Sequence, residues 1–324
     1  MKIPPPYEIT SEIQELIIKI DALRLFFLSF PLSTQLKQNI QRVSLLKSSL
    51  FSARIEGNPL TMENIDFTTD KEKKMEVLNI ELAAKYIEKN INNTNKLTKQ
   101  IILKIHSVLM HSLRSDAGFF RKESSAIFNQ AGVAVYVAPP PLYMSELLNK
   151  LIEYIDDQSE KFPLIKAFIA HLVFEKIHPF IDGNGRVGRL LIYAICKSLN
   201  YDFGFFVAFE EYLDQHKSDY YHYLDIGLKE TEEYLIFMLE AYLNQVEKMK
   251  EHIIIEQGKK ILLPPRQEEI YQIIKDHPMI SFDFIRRRFL KVPERTLRYD
   301  LKKLIDQNLI VKIGKTKGSY YKVI

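Results

Sequence analysis

Apolar residues recur along most of this chain at the spacing of helices. Between Ile9 and Phe27, the residues Ile13, Leu16, Ile17, Ile20, Leu23 and Phe26 fall on one stripe, which predicts an amphipathic helix. The same period predicts helices over 36–56, 73–91, 97–113, 143–156, 162–177, 186–199 and 230–251. The helix over 36–56 should stop at Gly57-Asn58-Pro59, where glycine and then proline end a helix. One stretch departs from the pattern. Ala126 to Ala138 is β-branched and aromatic, centres on Gly132 and is closed by Pro139-Pro140-Pro141, so it predicts a β-hairpin. A lone hairpin is marginally stable, so this one should pack on the helices or serve as a binding edge.

After about residue 260 the texture changes. Pro264-Pro265 punctuates a boundary. Helices are predicted over 266–275, over 281–289 with Ser281 as N-cap, and over 293–309 with Pro293 in the first turn. Residues 310–324 then alternate around Gly314 to Gly318, as a hairpin does. Three helices and a hairpin form the pattern of a winged helix-turn-helix. The expected fold class is mainly α, with a short β-hairpin flap and a C-terminal winged helix-turn-helix domain.

Composition narrows the class. A chain of 324 residues can hold two or three domains. Its one cysteine, Cys196, sits in an apolar run, which argues for a core residue and against a disulfide framework or a cysteine-rich zinc site. No run approaches the roughly 20 apolar residues of a membrane span. Met1 to Tyr7 lack the apolar stretch of a signal peptide. The expectation is therefore a cytoplasmic protein with no membrane partner. Net charge is +4, but residues 262–324 hold 14 Lys or Arg against 7 Asp or Glu. A basic C-terminal module on a slightly acidic body points to different partners for the two parts.

Chemistry concentrates between His178 and Arg189 (His-Pro-Phe-Ile-Asp-Gly-Asn-Gly-Arg-Val-Gly-Arg). Gly183, Asn184 and Gly185 allow a sharp turn that approaches a ligand closely. A helix starting near Arg186 presents unpaired N–H groups to that turn, which makes an anion site. Arg186 and Arg189 are three residues apart, so they share a helix face from which two guanidiniums can grip phosphate oxygens. Asp182 can ligate Mg²⁺, which takes one or two carboxylates together with substrate phosphates. His178 has the side chain suited to general-base work near neutral pH. Gly183-x-Gly185-x-x-Gly188 also fits a dinucleotide fingerprint, but that motif must follow a strand and here the preceding residues have helical spacing.

This motif resembles the signature of Fic-domain proteins (the Fic/Doc family) at every defined position. Gly118-Phe-Phe-Arg121 is similar to a family motif just before the flap, and the likeness covers about residues 1–250. It implies an N-terminal helical region over 1–95, a catalytic core over 96–255 with the flap hairpin at 126–138, and a separate domain over 262–324. It further implies a protein adenylyltransferase that uses ATP and Mg²⁺. His178 would deprotonate a Ser, Thr or Tyr hydroxyl of a target protein, and Asp182 would hold the metal. Gly183, Asn184, Gly185 and Gly188 would belong to the phosphate cradle, and Arg186 and Arg189 would meet the β- and γ-phosphates. The flap would align the target by strand addition.

Ser52-x-x-x-Glu56-Gly57 resembles the inhibitory motif of bacterial members with an N-terminal inhibitory helix, here about 36–58. Glu56 would occupy Arg189 in place of the γ-phosphate, with Ser52 one turn earlier supporting it. Tyr220 or Tyr221 would stack on adenine, the alternative being core packing. Transfer of another nucleotide moiety, AMP removal by the same site, and a DNA-binding regulator with a largely silent site stay open. So do self-modification, a homodimer, and DNA contact through Arg286–Arg288, Arg295, Arg298, Lys302, Lys303 and the wing lysines Lys312, Lys315, Lys317 and Lys322.

Overall fold

A computed structural model describes residues 1–32, 34–94, 97–128, 134–258, 263–277, 279–314 and 319–323. The chain divides into two units, Met1–Ile253 and Ile254–Ile324. The N-terminal region and the core expected around it therefore fold as one body.

The helices that begin in the first unit are α1 (Ser11–Ser29), α2 (Thr34–Ile55), α3 (Lys71–Asn90), α4 (Lys99–Leu109), α5 (Pro141–Asp156), α6 (Pro163–Ile177), α7 (Asn184–Ser198), α8 (Glu210–Gln215), α9 (Lys217–Ile226) and α10 (Thr231–Gly258). Local chemistry sets their starts. The side chains of Thr10, Asp70 and Thr98 accept N–H groups of Ile13, Lys73 and Ile101 and so cap α1, α3 and α4. Each such cap is worth about 1 kcal/mol. Proline opens α5 and α6, where its missing N–H costs nothing.

Helix α6 is the axis of the unit, with every side chain from Leu164 to Ile177 buried. A helix buried on all sides has no polar stripe. It packs most extensively on α7, and α5 covers it from another side. Helix α2 lies against α3 and α8. Cys196 is buried in this core as expected. The flap hairpin is β1 (Ala126–Phe128) with β2 (Ala134–Val137), antiparallel, pairing Ala126 with Val137 and Ile127 with Tyr136. Its turn around Gly132 lies outside the described residues.

The second unit carries α11 (Pro265–Lys275), β3 (Ile280–Ser281), α12 (Phe282–Arg288), α13 (Glu294–Asp306), β4 (Ile310–Ile313) and β5 (Tyr320–Val323). The strands form one antiparallel sheet in the order β3-β5-β4. Ser281 caps α12 through its hydroxyl, and Leu297, Leu301 and Leu304 are buried, as their spacing requires. Along α13, Arg295, Lys302 and Lys303 are exposed. Glu294 holds Arg286 at 2.5 Å and Arg298 at 3.6 Å, and Arg298 also lies over the Phe282 ring. Lys315 and Lys317 lie outside the described residues. Among the described residues no helix is long and apolar enough to cross a membrane.

Candidate active site

The loop between α6 and α7 carries most of the site. Helix α6 ends at His178, whose backbone is left-handed (φ 49°, ψ 61°) while its N–H still bonds Phe174 O at 2.9 Å. The imidazole Nδ1 lies 3.3 Å from Glu175 O. A carbonyl only accepts, so Nδ1 carries the proton and Nε2 keeps its lone pair, which is the tautomer of a base. Burial holds the His178 pKa below its ordinary value and Arg121 adds to this, against the opposing bond to Glu175. The ring is therefore neutral at physiological pH.

Gly183 opens α7 in the left-handed region at φ 82°, and no side chain caps the helix. A Cβ there would stand 3.0 Å from Met110 Sδ, so glycine is required by conformation and by space. The first-turn N–H groups of α7 are thus left to whatever the loop binds. Asn184 closes the loop from within. Its amide accepts Phe180 N at 2.9 Å and donates to Phe180 O at 2.8 Å. Both polar ends being engaged, what Asn184 offers a phosphate is the shape of the loop rather than its own side chain.

His106 on α4 escaped sequence reading although it fixes this loop. It lies face to face with Phe180 at 3.7 Å. Its Nδ1 accepts Gly118 N at 2.9 Å, so Nε2 carries the proton and donates to Asp182 O at 3.0 Å. Burial pushes its pKa down to about 4, which keeps this two-sided tie neutral. The Asp182 carboxylate is half exposed. Its Oδ1 accepts Gly183 N at 2.5 Å and Arg186 Nη2 at 2.9 Å, and Oδ2 has no partner among the described residues.

Arg186 and Arg189 emerge on one face of α7, as their spacing predicts. Arg186 is buried, and its Nε has no hydrogen-bond partner among the described residues. Such an orphan donor is costly unless something supplies an acceptor. Arg189 is 1% exposed and is held by Ser52 and Glu56. Its Nε donates to Ser52 Oγ at 3.0 Å, and its Nη2 donates to Ser52 O at 2.8 Å and Glu56 Oε1 at 2.9 Å. Burial alone would lower the Arg189 pKa, but the Glu56 charge together with Tyr220 and Tyr221 more than offsets it and the net direction is up. The Glu56 carboxylate rests so close over Gly185 that any side chain at 185 would displace it. Ser52 and Glu56 therefore meet the loop, although more than 120 residues separate them from it in sequence.

Gly188 departs from its expected place in the cradle. It faces α6, where a Cβ would overlap Glu175 Oε1 and stand 2.8 Å from His171 Nδ1. This buried group was not legible in the sequence. His171 Nε2 lies 2.9 Å from the Tyr220 hydroxyl, and burial pushes His171 down to about 3 and Glu175 up to about 8. Both are neutral at pH 7, and they meet too loosely to bond, at 3.9 Å. Because Glu175 is enclosed and cannot swing aside, Gly188→Ala should lower stability by about 1–3 kcal/mol, as overpacking does, read as a fall in Tm at pH 7.

The two tyrosines separate clearly. Tyr220 is 1% exposed and bonded to His171, so it is core, whereas Tyr221 is 39% exposed. The Tyr221 hydroxyl donates to Ile55 O at 3.1 Å at the end of α2, and Arg54 pairs with Asp214 at 2.9 Å beside it. Helices α8 and α9 thus pin the terminus from which Glu56 projects.

Residues 96–196 match the sequence profile of the Fic/DOC family. Protein adenylyltransferase Fic of Drosophila willistoni is 29% identical over 188 residues, covering 54% of this chain and 35% of that protein. The protein of the same name from Nematostella vectensis is 29% identical over 225 residues, covering 65% and 50%. The chain thus spans between about a third and a half of the length of these curated relatives. The crystal structure of a Fic family protein from Desulfovibrio desulfuricans G20 shares the fold, with TM-score 0.70 and 22% identity over 99% of this chain and 98% of that one. Fic-1 (residues 134–508) of C. elegans aligns with TM-score 0.63 and 19% identity over 75% and 73%.

Proposed function

We propose, from the match of residues 96–196 to the Fic/DOC family, that the chain is a protein adenylyltransferase restrained by Glu56. It would move AMP from ATP to a Ser, Thr or Tyr hydroxyl of a target protein. The observation that carries this reading is one loop that joins a neutral histidine with a bare Nε2 to an uncapped helix N-terminus and two buried arginines.

The steps follow from these groups. A target hydroxyl gives its proton to His178 Nε2 as its oxygen attacks the α-phosphorus of ATP. The bond from that phosphorus to the bridging oxygen breaks, and pyrophosphate leaves. The N–H groups at the start of α7 and the Arg186 guanidinium would supply donors to phosphate oxygens, where fixed dipoles and charges act with little reorganisation. Arg189 would hold the terminal phosphate once Glu56 withdraws. Tyr221 is the exposed ring available to the base.

The donors also fit Mg²⁺. Asp182 offers one oxygen without a partner among the described residues, and it stands alone there, since no group of three or more His, Cys, Asp or Glu side chains that could hold a metal exists among the described residues. That is the donor set of a magnesium whose other ligands are phosphates and water. When bound it supplies charge neutralisation on the phosphates.

The test uses a Glu56→Gly chain incubated with a host-cell lysate and ATP labelled on either the α- or the γ-phosphate. Label should enter protein from the α-position only. Entry from the γ-position would mean phosphoryl transfer and sink the reading, and equal labelling from GTP would shift the donor to another nucleotide.

A further inference from the structure

The mechanism above leaves one buried guanidinium unused. Arg121 is 3% exposed and has no acidic partner among the described residues. An unpaired buried guanidinium is costly unless its donors are satisfied. Here its four side-chain hydrogen bonds all go to backbone carbonyls. Nε donates to His178 O at 2.7 Å, Nη1 to Glu123 O at 2.7 Å, and Nη2 to Pro139 O at 2.5 Å and Ile177 O at 3.4 Å. The Arg121 backbone N–H also bonds Pro179 O at 3.0 Å.

The identity of those carbonyls matters. Ile177 and His178 end α6, where carbonyls have no intrahelical donor, and His178 is held left-handed there. Left-handed backbone costs a non-glycine residue about 1–2 kcal/mol, so it persists only where its surroundings impose it. Glu123 and Pro139 stand at the two roots of the hairpin, which Ala138 N closes onto Ser125 O at 3.0 Å. One planar fork therefore spans both hairpin roots and the residue that bears the base. A second tie lies beside it. Lys176, in the last turn of α6, places its ammonium 4.6 Å from the centre of the Tyr136 ring on β2 and donates to Asp225 O at 3.2 Å.

We propose that Arg121 is a positioning residue that fastens the flap hairpin to His178, with Lys176 and Tyr136 as a second fastening. A strand laid on the hairpin then presents its hydroxyl at a fixed distance from His178 Nε2. The catalytic consequence rests on the adenylyl-transfer reading, whereas the fastening itself does not. Arg121 touches neither nucleotide nor target. Its effect should fall on the transfer step, where a misplacement of about 1 Å costs up to 10²-fold. Lysine keeps the charge but concentrates its donors on one nitrogen, which cannot reach carbonyls spread around a fork.

The test compares Glu56→Gly with Glu56→Gly/Arg121→Lys. Amide hydrogen exchange in the hairpin strands, residues 126–128 and 134–137, should quicken by about tenfold or more in the double variant, with exchange in α6 and α7 unchanged. The Kd for ATP should change by less than about threefold, while labelled AMP transfer falls about 10- to 100-fold. Unchanged exchange in the hairpin of a folded variant overturns the fastening. A loss of transfer that merely tracks weaker ATP binding overturns the positioning role. If Arg121→Lys does not fold, Tyr136→Leu loosens the second tie and is read the same way, with smaller effects expected and no effect overturning the proposal. A Glu56→Gly parent that transfers no AMP would refute the adenylyl-transfer reading, and the exchange result would still decide the fastening.

Discussion

A Glu56→Gly chain should label protein with AMP about 10- to 100-fold faster than the wild-type chain at the same ATP concentration. The estimate follows from what Glu56 does to Arg189. A carboxylate 32% exposed pairs at 2.9 Å with a guanidinium 1% exposed. Displacing it in favour of a phosphate is a coupling of the usual 1–3 kcal/mol, or about 5- to 150-fold. Two bonds to Ser52 remain in the variant, so Arg189 keeps its rotamer and gains an open position rather than collapsing. Glu56→Gln separates charge from bulk: it fills the same space without the charge, so it should fall between glycine and wild type. Thermal unfolding gives an independent readout, because a ligand that binds only the native state raises Tm further the more tightly it binds. ATP with Mg²⁺ should therefore raise the Tm of Glu56→Gly more than that of wild type. Equal labelling and equal shifts in the two proteins would remove the restraint from this reading.

The parts of this site that could be read from the chain are those whose chemistry is local. His178 to Arg189 is one loop and one helix start, so base, glycine turn and paired arginines announce themselves by spacing. Leu297, Leu301 and Leu304 were legible for the same reason, since a 3.6-residue period needs no partner to be seen. Gly188 shows the limit. Its place in a glycine run suggested phosphate, but only the packing of α7 on α6 reveals that the missing side chain makes room for Glu175 and His171. His106 looked like any helix histidine until the fold brought Asp182 and Gly118 to its two nitrogens from opposite directions. Helices α8 and α9 were missed because they are short, and Lys217 to Ile226 is rich in tyrosine and charge without a continuous apolar stripe. Strand β3 is two residues long and exists only because β5 lies beside it.

The largest loss should come from His178. In the Glu56→Gly background, His178→Asn should reduce AMP transfer by about 10²- to 10⁴-fold, the range that a positioned general base contributes. Asparagine is the sharper probe because it tolerates the left-handed backbone that His178 adopts, whereas alanine adds strain to the loss of the imidazole. ATP affinity should hardly change, since no bond links the imidazole to Arg186 or Arg189. The pH dependence gives the same residue a second signature. Protonation removes the Nε2 lone pair, so transfer should fall as pH drops through the pKa of the folded protein. Burial and Arg121 hold that pKa below the ordinary 6.5, so the acid limb of the rate profile should have its midpoint under that value. This limb should vanish from whatever residual activity His178→Asn retains. A limb centred well above 6.5, or one that survives the substitution unchanged, would assign the proton to another group and leave the loop without its base.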